Sequence, residues 1–107
     1  MGKFTVIYTT FPEKNKALEI CKKLLEDRLI VCFNMFEIKS GYWWENSIEI
    51  SSEYAVFLKT MEEKVEKLKG KLFNLHPYDV PAFIEIKTGY VAEEYLKWAE
   101  KEISRNV

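Results

Sequence analysis

Val31 to Lys59 reads VCFNMFEIKSGYWWENSIEISSEYAVFLK, and this stretch decides the fold. Both arms are rich in β-branched and aromatic residues, which suit a pleated surface. A two-residue loop at Glu45-Asn46 closes them into a hairpin, because Asn46 tolerates the positive φ that such a turn needs. That register sets Trp43 against Ile48, Met35 against Val56 and Phe33 against Leu58. Side chains alternate across a strand, so all of these share one face. The other face carries Glu49, Ser51 and Glu53 together with Tyr42, Trp44 and Phe57.

The predicted hairpin is longer than its own domain can cover. Each arm has about thirteen residues, or roughly 40 Å at about 3.3 Å per residue. The helices predicted on either side have about fifteen, or roughly 22 Å. The distal half should therefore overhang, and it holds Tyr42, Trp43, Trp44, Glu45, Ile48 and Ile50. An exposed aromatic ribbon of this kind marks an interaction surface. The alternative is a bulge that bends the ribbon back onto its own core.

Upstream, Phe4 to Thr10 reads as a strand, and Pro12 suits the first turn of a helix. Ala17, Ile20, Cys21, Leu24 and Leu25 form a helical apolar stripe ending near Arg28. Downstream, Thr60 is an expected N-cap, with Glu63 completing a capping box. Met61, Val65, Leu68, Leu72 and Leu75 are the expected core stripe of the second helix. Gly70 lies inside that helix and weakens it by about 1 kcal/mol relative to Ala. The helix stops at His76-Pro77-Tyr78-Asp79-Val80-Pro81, where two prolines stiffen the backbone. Ala82 to Thr88 is a fourth strand, and Ala92, Tyr95, Leu96, Ala99 and Ile103 mark a short third helix.

The order βαββαβ plus a C-terminal helix predicts an α+β, ferredoxin-like split-βαβ fold in one domain, residues 1–107. Right-handed crossovers place both main helices on one face of a four-stranded antiparallel sheet, in strand order 4-1-3-2. The other face is expected to be bare. It carries Phe36, Ile38, Ala55 and Phe57, a second reason to expect a partner.

Composition narrows the function. The 107 residues carry a net charge of −1 with both signs mixed, so nothing points to nucleic acid. The apolar runs are far too short to span a membrane, and the strand-like FTVIYTT near the start is not a signal peptide. Cytoplasmic location is the expectation. Cys21 and Cys32 show no CxxC or zinc-type spacing and read as buried free thiols. No serine sits in a nucleophile elbow. Thr9-Thr10-Phe11-Pro12 lacks the glycines of a phosphate cradle. The only arginines, Arg28 and Arg105, are not placed to hold a phosphate there. These features predict no enzyme and no organic cofactor. His76, the only histidine, reads either as a metal ligand or pH-sensitive group, or as an ordinary histidine at a helix C-terminus. One histidine makes no strong metal site without further ligands.

Tyr8-Thr9-Thr10-Phe11-Pro12, Tyr42-Trp43-Trp44-Glu45, His76-Pro77-Tyr78-Asp79-Val80-Pro81 and Tyr95-Leu96-Lys97-Trp98 occur in order along nearly the whole chain. Together they resemble the CutA family of divalent-cation tolerance proteins. The resemblance implies a tight homotrimer in which long hairpins wrap neighbouring subunits. It places Tyr42, Trp43, Trp44, Glu45, Ile48, Ile50, Tyr78 and Asp79 at the interface or inter-subunit cleft. It also implies tolerance to copper and other divalent metals, with His76 as the candidate ligand. Members with a described copper site carry a cysteine where this chain has Thr9, and a second histidine where it has Leu75. Loss of the thiolate removes the soft donor that favours Cu(I), so weak binding of Cu(II) or another divalent cation is expected. Tyr78, Asp79 and carboxylates of other subunits are the remaining helpers. Where the family usually has glycine after Trp-Glu, this chain has Asn46. A different class stays open: a small-molecule sensor like the PII proteins, or a trimeric scaffold without enzymatic activity, on fold-level analogy.

Overall fold

The structure, a computed structural model, describes residues 3–105. Strand β1 (Phe4–Phe11) leads to helix α1 (Lys14–Glu26), and strands β2 (Cys32–Trp44) and β3 (Ser47–Met61) form the hairpin. A 3₁₀ turn at Glu62–Lys64 runs into α2 (Val65–Leu75), followed by β4 (Ile84–Lys87) and α3 (Glu93–Ile103). The four-stranded sheet has order β2-β3-β1-β4 and is antiparallel throughout. This is the expected α+β architecture with its added C-terminal helix.

The hairpin pairs without interruption from Cys32 opposite Lys59 to Trp44 opposite Ser47. An unbroken ladder has no bulge, so the ribbon does not fold back. Glu45 (φ 49°) and Asn46 (φ 65°) both lie in the left-handed region, which makes the turn type I′. Only Asn46 was suited to that conformation on sequence grounds; Glu45 accepts it because the turn must match the twist of its strands. The tip overhangs as the length arithmetic requires. Trp43 is 72% exposed and Ile50 76%, and the subunit's longest dimension is 45 Å.

Helices α1 and α2 cover one sheet face, burying Ile7, Phe11, Ala17, Ile20, Cys21, Leu24, Val56, Leu58, Leu68 and Leu72. The opposite face is not bare along its whole length. Helix α3 lies on it and buries Phe4, Val31, Met61, Ala99 and Ile103 in a second cluster. Met61 therefore belongs to the end of β3, on the opposite face from the stripe assigned to it. The rest of that face stays open, with Phe36, Ile84 and Ile86 exposed and Tyr8 and Phe57 half-buried.

Two helix starts also differ from expectation. β3 pairs with β1 as far as Met61, so Thr60 is in the strand and its hydroxyl donates to the Leu29 carbonyl at 2.8 Å. Met61 stands at the N-cap position without a side-chain bond, and no capping box forms. Pro12 precedes the Glu13 N-cap and lies outside α1. The end of α1 is a Schellman motif: Leu29 N–H bonds Leu24 O at 3.1 Å and Arg28 N–H bonds Leu25 O at 3.0 Å. Arg28 holds the left-handed position (φ 57°) that usually goes to glycine. Its Nη1 bonds the Glu102 carboxylate at 2.8 Å and the Glu102 carbonyl at 3.1 Å, tying the end of α1 to the end of α3.

Candidate functional site

The site grows from the sequence His76-Pro77. A residue before proline is pushed out of the helical region, so α2 stops at Leu75 and His76 turns extended (ψ 134°). Its N–H still bonds Leu72 O at 2.8 Å. The imidazole thereby lies across the end of β1, stacked on Phe11 with ring centroids 4.4 Å apart and planes 11° apart. Only 9% of His76 is exposed.

The hydrogen bonds fix its tautomer. Nε2 is 2.8 Å from the Thr10 carbonyl, which can only accept, so Nε2 carries the proton. Nδ1 receives the Tyr78 N–H at 3.1 Å, which can only donate, so the Nδ1 lone pair is engaged. Thr9 Oγ1 lies 3.4 Å from Nε2 and adds a weak second contact. Burial pushes the imidazole pKa below its ordinary value; the Thr10 bond and the Glu53 charge oppose that only in part. The ring is therefore a neutral joint between β1 and the loop after α2. It bonds a carbonyl of β1 and not its own helix, and it offers no positive charge to the helix dipole.

Tyr78 extends the chain of bonds. Its ring lies 5.3 Å from the imidazole, and its hydroxyl donates to Glu53 Oε2 at 2.5 Å. Burial, then the bond to Glu53 and that carboxylate's charge, push the phenol pKa well above its usual value. Glu53 is only 7% exposed and sits on β3 opposite Ile38, at the root of the overhang. Two of the residues singled out from sequence, His76 and Tyr78, thus come together. Asp79 is exposed beside them. Tyr42, Trp43, Trp44, Glu45, Ile48 and Ile50 lie on the exposed overhang, where Tyr42 Oη is 3.3 Å from Ser51 Oγ. Sequence reasoning missed Glu53 as a site residue, although a carboxylate inside the strand-like run SSEYAVFL was the available signal.

As bonded, the cluster does not present an open metal centre within one subunit. Its one imidazole has both nitrogens engaged, and among the described residues no group of three His, Cys, Asp or Glu side chains could hold a metal ion. Cys21 and Cys32 are free thiols in different clusters on opposite sheet faces, and burial pushes Cys21 up to about 12. No described helix is long and apolar enough to cross a membrane.

Residues 5–102 match the model of a family described as CutA1 divalent ion tolerance protein. Over 98 residues the chain is 49% identical to the divalent-cation tolerance protein CutA of Thermotoga maritima, covering 92% of this chain and 97% of that one. It superposes on the crystal structure of CutA1 from Pyrococcus horikoshii with a TM-score of 0.91 at 44% identity, covering 94% of this chain and 99% of that one. The periplasmic divalent cation tolerance protein CutA from Archaeoglobus fulgidus superposes with a TM-score of 0.92 at 35% identity, covering 94% and 99% respectively.

Proposed function

The chain belongs to the CutA1 divalent ion tolerance family, and from that membership we propose that it works as a homotrimeric tolerance protein binding Cu(II) or another divalent cation with modest affinity. The observation that carries the assembly is the overhang: an unbroken ribbon with Trp43, Trp44, Ile48 and Ile50 in solvent. The open half of the sheet face also needs cover. A closed ring satisfies both, each hairpin lying along the next subunit.

In this reading His76 would be the nitrogen donor, and binding would be modest because both ring nitrogens are already hydrogen-bonded and Thr9 supplies no thiolate. A bound divalent cation would contribute charge at the loop between α2 and β4, with carboxylates of other subunits as further donors. Asp79, exposed beside the cluster, is the nearest such helper in sequence. A cytoplasmic location is part of this reading, and fractionation of cells checks it.

Calorimetry with Cu(II) from neutral to acid pH tests the proposal. Affinity should weaken as protons compete for the imidazole, and His76→Ala should lose most of it. Unchanged binding in His76→Ala would remove His76 as ligand. The engaged, neutral imidazole favours one second reading, a non-enzymatic sensor or scaffold. That protein would ignore His76→Ala in the Cu(II) titration and respond instead to a small metabolite.

A further inference from the structure

No further inference is drawn: the strongest candidate, the open half of the sheet face where Phe36, Ile84 and Ile86 are exposed, belongs to the assembly surface already described, and nothing in the structure shows what else would cover it.

Discussion

At His76, burial and the Tyr78 N–H act in the same direction. A second proton would place a donor on Nδ1 against another donor, in a site with little water. The folded pKa therefore lies below the ordinary imidazole value of 6.5, and the unfolded chain binds the proton more readily. The stability contributed by this site is fully present above 6.5 and is lost as pH falls through the depressed folded value. We expect urea midpoints to fall on mild acidification in the wild type, with a flatter profile in His76→Gln. Arg28, bonded to the Glu102 carboxylate, holds that pKa below its own, lower reference, so its loss belongs to more acid solution. An equal slope in His76→Gln would assign the change elsewhere. The histidine itself was legible because it is the only one and stands before a proline. Its bonding was only partly so: Tyr78 stands two residues on, but Thr10 and Glu53 come from distant segments that only the fold brings to the site.

Helix α2 carries one residue that neither packing nor the backbone requires. Gly70 is exposed, its φ is not positive, and an added Cβ would meet nothing within 4 Å. Gly70→Ala should therefore stabilise the protein by about 0.5–1 kcal/mol, since glycine has more backbone freedom to lose on folding. Thermal unfolding checks the sign, and a lower midpoint would mean that the position is occupied in the assembly. The strongly periodic elements were readable: Ala17, Ile20, Cys21 and Leu24 line the buried side of α1 as their spacing requires. The junction before α2 was not. Thr60 and Glu63 have capping-box spacing, and Met61 lies four residues before Val65, so a helix pattern extends backwards into β3. Pairing with β1 overrides it, because a strand residue in a ladder cannot also cap a helix. The face chosen by α3 was equally hidden, since an amphipathic helix carries no mark of which side of a sheet it will cover.

For the whole molecule, length arithmetic made the overhang legible, and β strands of 13 and 15 residues confirm it. The proposed ring makes this ribbon the source of assembly. Aromatic anchors dominate such interfaces, so Trp43→Ala or Trp44→Ala should each cost about 2–4 kcal/mol. Apparent stability should rise with protein concentration. Equilibrium sedimentation reads the outcome, and a double variant as trimeric and stable as wild type would refute the arrangement. The position of β1 has a consequence of another kind, for the order in which the chain is made. It leaves the ribosome before the other strands, yet it is central in the sheet, and both of its hydrogen-bonded neighbours, β3 and β4, are translated later. Phe4, Val31 and Met61 are not covered until α3 emerges. A nascent chain therefore cannot complete its sheet piecemeal, and translation that stalls before Glu93 leaves an apolar patch for chaperones and proteases to find.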